Sequence, residues 1–142
     1  MYNTNISKPI IDWYNSNKRD LPWRNTKDPY KIWLSEIMLQ QTQVKTVIPY
    51  YNRWIAQYPT LISVANSNID QLLKSWEGLG YYNRCRNFHK ACKIIDKSYN
   101  GIVPKDYHSL IKLPGLGDYS SSAIMSIAFN ERYPAVDGNL NR

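Results

Sequence analysis

The amino-acid sequence predicts an all-α fold, and three observations lead to this prediction. Apolar residues recur three and four positions apart along most of the chain, which is the spacing of one helix face. Residues that start or end helices separate these segments, such as Asp28 before Pro29 and the glycine pair Gly78 and Gly80. No segment has the strict alternation of a β-strand. We therefore expect about seven short helices joined by short loops.

Each expected helix has its own apolar pattern and its own boundary signal. The second begins at Asp28 and ends where Gln40 breaks the pattern, and the third contains Pro49, which predicts a kink. In chain order the expected helices are 6–17, the segment from Asp28 to Gln40, 44–55, a short helix after Thr60, 69–76 capped by Ser67, 81–99 closed by Gly101, 106–112 and 120–129. The last of these is apolar on most sides, so we expect it to be buried.

Composition limits the class of protein. The 142 residues suit one domain, and 43% apolar residues are enough to bury a core. The net charge of +7 favours an anionic partner, nucleic acid first, and a solvated basic surface is the alternative. Cys85 and Cys92 alone make neither a disulfide framework nor a strong metal site. Because the sequence shows neither a signal-peptide pattern nor a membrane-length apolar run, we expect a soluble cytoplasmic protein.

The segment Leu113–Ser120 contains a turn that suits phosphate binding. Gly115 and Gly117 let the backbone turn sharply and approach a ligand without a Cβ in the way. The turn leads into a helix, so several free N–H groups point outward and form an anion-binding nest. With the short helix before it, the segment has the pattern of a helix-hairpin-helix. An ordinary glycine-capped turn is the alternative.

Two acidic residues are candidates for chemistry. Glu36 lies on a mostly apolar segment, where partial burial disfavours the charged carboxylate and lets the protonated acid donate its proton. The alternative is a surface carboxylate in an ion pair, which the pattern alone favours. Asp137 has the pattern of a helix N-cap, whatever else it does. Cleavage of a glycosidic bond uses a pair of carboxyl groups, but spacing alone does not show that these two meet.

Two polar loops carry side chains suited to projecting from the surface. Gln41 follows a helix end and Tyr81 follows a glycine turn, so each is placed to insert into a duplex. Ordinary packing and capping is the alternative, and the residues alone favour it. The next helix carries four basic residues whose simplest interpretation is a solvated face: Arg84, Arg86, Lys90 and Lys93.

Taken together, five segments resemble the adenine DNA glycosylases of the helix-hairpin-helix superfamily, the MutY family. They are Leu21–Arg24, Pro29–Val44, Trp76–Tyr82, Leu113–Gly117 and Val136–Asn139, and they follow the family's order over nearly the whole chain. The resemblance implies the helix-hairpin-helix DNA glycosylase fold, a six-helix barrel-type domain with part of a second helical domain. The expected division places residues 1–24 in the second domain, 25–134 in the barrel-type domain with the hairpin at about 107–129, and 135–142 at the start of a truncated helix.

The resemblance also implies a mechanism, in which a mispaired adenine is flipped out of double-stranded DNA and cut from its sugar. Glu36 would protonate adenine N7 and help activate water. Asp137 would stabilise the oxocarbenium ion, and Tyr119 and Asn139 join the catalytic set. The implied DNA contacts are the pocket-lining Arg19, Leu21, Trp23 and Arg24, the wedging Gln41 and Tyr81, and the backbone-binding amides of Gly115 and Gly117. The expected substrate is adenine opposite 8-oxoguanine or guanine, and the expected state is a nucleoid-associated monomer without membrane contact.

Tyr119 distinguishes two related branches of the superfamily. The endonuclease III branch has a lysine two residues after the second hairpin glycine, where its amine forms a Schiff base. A phenol cannot form one, so Tyr119 predicts a monofunctional glycosylase, and an endonuclease III-like glycosylase/lyase is the alternative.

The resemblance further implies a [4Fe-4S] cluster and a C-terminal Nudix-like domain, both downstream of the Asp137 motif. Cys85 and Cys92 do not match the cluster ligands, so we expect no metal ligand in these 142 residues. Only three residues follow Asn139, and a single helical turn without a partner is unstable. The sequence therefore predicts a fragment or a frayed last element, and a DNA-binding fragment without catalysis is the alternative to an enzyme.

Overall fold

The computed structural model describes residues 7–134, and these residues fold into helices and loops without a β-strand. The all-α class predicted from the sequence is thus confirmed. The helices are α1 Ser7–Asn17, α2 Pro29–Leu39, α3 Val44–Gln57, α4 Leu61–Ala65, α5 Ile69–Trp76, α6 Asn83–Ser98, α7 Tyr107–Leu110 and α8 Asp118–Ile127, with a 3-10 turn at Pro22–Arg24. None of the helices within this part of the chain has the length and apolar character that a membrane crossing requires.

The helix boundaries follow the predicted signals at most ends. The Asp28 carboxylate accepts a hydrogen bond from the Tyr30 amide at 3.0 Å and so caps α2 as predicted. The prediction that Ser67 caps α5 is wrong, because Asn68 accepts from the Asp70 amide at 2.8 Å. An N-cap must directly precede the first helical residue, and Ser67 lies one position too early.

Helix α6 begins later than predicted and ends where predicted. It starts at Asn83 rather than at residue 81 because Tyr81 has a φ of 48°, which no right-handed helix contains. At the other end, Gly101 has a φ of 74° and its amide donates to the Ile95 carbonyl at 3.0 Å. This bond closes the helix, as glycine commonly does.

Helix α2 lies at the centre of the core. Seven of its 11 residues are buried, and it packs against α3 on one side and α8 on another. Trp33 meets the ring of Phe88 edge-on at 4.6 Å, and the Tyr30 hydroxyl donates to the Tyr58 carbonyl at 2.6 Å. The predicted burial of the last helix is confirmed, since residues 120–125 of α8 are all buried. The seam between α2 and α8 therefore runs through the interior.

Helix α1 differs from the other long helices, because none of its residues is buried. Its apolar side chains are exposed, from Tyr14 at 43% to Trp13 at 65%. The Arg24 guanidinium lies 5.6 Å from the centre of the Tyr14 ring, which links α1 to the 3-10 turn. The predicted division of the chain at residues 24 and 134 stays a prediction.

Candidate functional site

Glu36 is held in the seam between α2 and α8. Burial raises the pKa of its carboxyl above the ordinary value, and a hydrogen bond from the Tyr119 hydroxyl offsets part of this rise. The carboxyl therefore keeps its proton to a higher pH than an exposed glutamate does. Among residues 7–134 the ion pairs join Lys8 to Asp12 and Lys105 to Glu131, and Glu36 belongs to neither. The geometry thus favours a proton donor over the surface ion pair.

The seam is fixed by a second polar contact beside Glu36. The Gln40 side-chain amide donates to the Ser120 hydroxyl at 3.1 Å, which ties the end of α2 to the start of α8. Three consecutive buried serines, residues 120–122, present small side chains to the interior. Small side chains let helix axes approach closely. Tyr119 is consequently held against Glu36 by the packing of two helices.

Gln41 and Tyr81 adopt the same unusual backbone conformation. Their φ values are 59° and 48°, in the left-handed region that costs an ordinary residue about 1–2 kcal/mol. Both side chains are exposed, and both line one hollow of about 410 Å³. Strained backbone of this kind is typical of ligand-contacting sites. The structure therefore brings the two predicted wedge residues to one place.

The glycine turn has the predicted form. Gly115 has a φ of 79°, and a Cβ there would lie 2.9 Å from the Cβ of Asn87 on α6, so only glycine fits. Leu113 and Leu116 are buried and anchor the turn in the core. Gly117 directly precedes α8, without a side-chain cap, so the first amides of that helix face outward. This arrangement can bind an anion such as a phosphate.

The four predicted pocket residues divide into two pairs. Leu21 and Trp23 are buried, and the Trp23 ring meets Tyr51 edge-on at 5.3 Å. Arg19 and Arg24 are exposed, and the Arg24 guanidinium donates to the Arg19 carbonyl at 3.2 Å. The 3-10 turn that carries Trp23 and Arg24 packs against α2, the helix of Glu36. Their contact with a flipped base stays a prediction.

The interpretation of Arg84 as part of a solvated basic face is wrong. Its guanidinium is half-buried and donates to backbone carbonyls at the end of α2 and in the loop before α6. Arg86, Lys90 and Lys93 are exposed, as predicted.

Asp137 and Asn139 lie outside the described residues, so their predicted meeting with Glu36 stays a prediction. The last residues described run along α7 and α8. The Tyr133 ring stacks on Tyr107 at 5.3 Å, and the Tyr107 hydroxyl donates to Asp118 at the start of α8. The chain thus leaves the described region beside the helix that carries Tyr119.

Comparison with known proteins decides the family. The model of the HhH-GPD superfamily of base excision DNA repair proteins matches residues 34–142, about three quarters of the chain. This chain belongs to the HhH-GPD superfamily. The match includes Glu36, the strained loops and the glycine turn, whereas Arg19, Leu21, Trp23 and Arg24 lie before it.

The relatives of this HhH-GPD chain support the resemblance to adenine DNA glycosylases. An adenine DNA glycosylase of Buchnera aphidicola (strain Bp) is 48% identical, over 94% of this chain and 38% of the relative. The human adenine DNA glycosylase is 40% identical, over 94% of this chain and 26% of its own length. The chain therefore spans well under half the length of these curated relatives.

Solved structures share the fold of this HhH-GPD chain. A thermostable thymine-DNA glycosylase superposes with a TM-score of 0.86 at 29% identity, over 95% of this chain and 63% of the other. A non-covalent endonuclease III–DNA complex gives a TM-score of 0.78 at 24% identity, over 99% and 66%. The second likeness is one of fold alone.

The two cysteines of this HhH-GPD chain do not fit an iron–sulfur cluster. Burial raises the pKa of the Cys85 thiol to about 12 and that of Cys92 well above its ordinary value. Cluster ligands are thiolates, and these thiols resist ionisation. Within residues 7–134 no three metal-binding side chains are grouped. The cluster implied by the resemblance therefore has no ligands in the described residues.

Proposed function

We propose that this protein is an adenine DNA glycosylase that hydrolyses the N-glycosidic bond of adenine opposite 8-oxoguanine or guanine in double-stranded DNA. The observation that carries the proposal is the burial of the Glu36 carboxyl beside Tyr119. Burial raises the pKa of this carboxyl, and Tyr119 fixes its orientation. A carboxyl whose pKa is raised holds its proton to a higher pH and can protonate the leaving base, which is the step that glycosidic cleavage needs.

The other residues supply binding and extrusion. The outward amides around Gly115 and Gly117 bind the DNA backbone, and Gln41 and Tyr81 enter the duplex beside the mispair. Because the glycosidic bond is unreachable inside the stack, the adenine is flipped into the pocket that Arg19, Leu21, Trp23 and Arg24 line.

Hydrolysis then follows at the flipped adenine. Glu36 gives its proton to N7, the C1′–N9 bond breaks, and Asp137 stabilises the oxocarbenium ion. Water adds to C1′ as Glu36 takes back a proton, which leaves free adenine and an abasic sugar. Tyr119 has no amine, so the proposed enzyme forms no Schiff base and does not cut the strand.

The test is Glu36→Gln in the protein as its gene encodes it. The amide keeps the shape of the side chain but cannot donate an acidic proton, so single-turnover adenine release falls by at least ~10²-fold while duplex binding is kept. Wild-type release falls as pH rises through the raised pKa of Glu36. Glu77→Gln, an exposed carboxyl in the loop after α5, is the matched control and keeps full activity. Normal adenine release by Glu36→Gln would remove this residue from its role.

A trapping reaction separates hydrolysis from lyase chemistry. Borohydride reduces a Schiff base to a stable protein–DNA adduct. We expect no adduct with the wild-type protein, and a covalent adduct formed at the rate of base release would contradict the assignment of a monofunctional glycosylase.

A further inference from the structure

Arg84 holds the two strained loops of the site through one guanidinium. On one side, Nη1 donates to the carbonyls of Ile37, Met38 and Gln40 at 2.8, 2.9 and 2.5 Å. On the other side, Nη2 donates to the Gly80 carbonyl at 3.1 Å. The group is half-buried, and burial lowers the pKa of its guanidinium, although arginine stays charged in proteins. A single side chain thus supplies the partners that the end of α2 would otherwise lack.

The carbonyls that Arg84 binds set the conformation of the wedge residues. The Gln40 carbonyl belongs to the peptide plane whose rotation defines φ of Gln41, and the Gly80 carbonyl belongs to the plane that defines φ of Tyr81. Both φ values are left-handed, at 59° and 48°. Hydrogen bonds to charged groups are worth about twice those between neutral groups. Two such bonds can therefore hold both planes in an orientation that neither residue prefers.

Aromatic contacts fix the guanidinium itself. It lies 5.3 Å from the centre of the Trp76 ring and 5.4 Å from that of Tyr81. Trp76 is buried, and its indole N–H donates to the Gly80 carbonyl at 3.0 Å. The arginine is consequently placed against a rigid wall, and its Nε donates to the Tyr81 carbonyl at 3.4 Å.

We propose that Arg84 is a positioning residue that locks Gln41 and Tyr81 into one rigid unit, so that the two side chains enter the duplex together. The locking itself is a property of the free protein, whereas its effect on DNA rests on the proposed function. Only an arginine meets the geometry, because a lysine ammonium is a point donor that cannot span carbonyls on two separate loops.

The first experiment measures the free protein. In the protein as its gene encodes it, Arg84→Lys is expected to shift the backbone amide resonances of Gln41 and Tyr81 together. Arg86→Lys is the matched control, because Arg86 lines the same hollow, is exposed and keeps its charge when replaced. It is expected to leave both resonances unchanged. A shift at one loop alone, or equal shifts with both variants, would overturn the proposal.

The second experiment measures coupling in single-turnover adenine release from a duplex with adenine opposite 8-oxoguanine. Arg84→Lys is expected to slow release by ~10²-fold, since small misplacements of positioned groups have effects of this size. Adding Gln41→Ala or Tyr81→Ala to Arg84→Lys is expected to slow release little further, because the unit is already broken. Additive effects, at an unchanged melting temperature, would show that Arg84 acts separately from the two loops.

Thr42→Val covers the case in which Arg84→Lys does not fold. It removes a hydroxyl that accepts from Nη2 at 3.3 Å on the α2 side. If Arg84 joins the loops, Thr42→Val shifts the amide resonance of Tyr81 as well as that of Gln41. A shift confined to Gln41 would contradict the proposal. The amide resonances are measured in the free protein and do not depend on catalysis. If the wild-type protein released no adenine, the proposed function would be refuted, and the resonances would still show whether Arg84 joins the two loops.

Discussion

Helices α1 and α2 are built from similar residues and have opposite surroundings. Each spans 11 residues and contains one tryptophan, one tyrosine, two isoleucines, one proline, one lysine and one acid. None of the α1 residues is buried, whereas seven of those in α2 are. Trp13 is 65% exposed and Trp33 only 1%.

The difference arises from what the rest of each helix carries. Helix α2 adds Leu34, Met38 and Leu39, so apolar side chains surround it and neighbours can cover several faces. Helix α1 has two serines and two asparagines instead, which leaves one apolar stripe. A stripe is suited to one partner, whereas an apolar surface all round is suited to the interior of a domain. Glu36 has a raised pKa because it lies on the second kind of helix.

The largest effect we predict is on α2. Trp33→Ala removes a buried indole that packs edge-on against Phe88, and such truncations cost about 3–5 kcal/mol. In the 142-residue chain this is a large share of the free energy of unfolding of a typical domain. Denaturant unfolding followed by circular dichroism measures the loss. A cost under about 1 kcal/mol would show that α2 is not the centre of the core.

The same comparison shows what could be predicted from the sequence. Apolar spacing and caps predicted both helices, including the Asp28 cap, because these signals are local. The pattern also favoured an ion pair for Glu36, because sequence spacing does not say which helix will cover a given face. The contact with Tyr119 joins positions far apart in the chain, and only the packing of α8 on α2 creates it.

The burial of the Arg84 guanidinium could not be predicted from the sequence, for a related reason. On its own helix Arg84 has the same spacing as exposed basic residues, and its partners are carbonyls of two distant loops. Every residue has a backbone carbonyl, so the sequence does not show which carbonyls will accept a hydrogen bond from a distant side chain. The left-handed φ of Gln41 could not be predicted from the sequence either, because glutamine is not among the residues enriched in this conformation.

We predict a smaller effect on the pH dependence of stability, which differs between Glu36 on α2 and Asp12 on α1. The folded protein holds the Glu36 proton above the ordinary pKa of 4.5, so both folded and unfolded states are protonated well below that value. As pH rises through the raised pKa, the buried carboxyl must ionise, and the wild-type protein loses stability. Glu36→Gln is therefore expected to gain stability relative to wild type as the pH rises above 4.5, measured by denaturant unfolding at a series of pH values.

Asp12→Asn on α1 is the matched control for this titration. Asp12 is exposed and pairs with Lys8 at 2.9 Å, so its replacement costs about 0.3–0.5 kcal/mol. If the stability difference between Glu36→Gln and wild type changed with pH no more than the difference for Asp12→Asn does, burial would not be what raises the pKa of Glu36.

The smallest effect is predicted for the exposed tryptophan of α1. Trp13→Ala in the 142-residue chain is expected to change the free energy of unfolding by less than about 0.5 kcal/mol, because the indole has no buried contact to lose. The denaturant midpoint and slope should both match those of the wild-type chain. A loss above about 1 kcal/mol would mean that α1 packs its stripe against the folded body. The two helices would then differ only in how much of their apolar surface is buried, and the apolar stripe of α1 would pack against the same core as α2, the helix of Glu36.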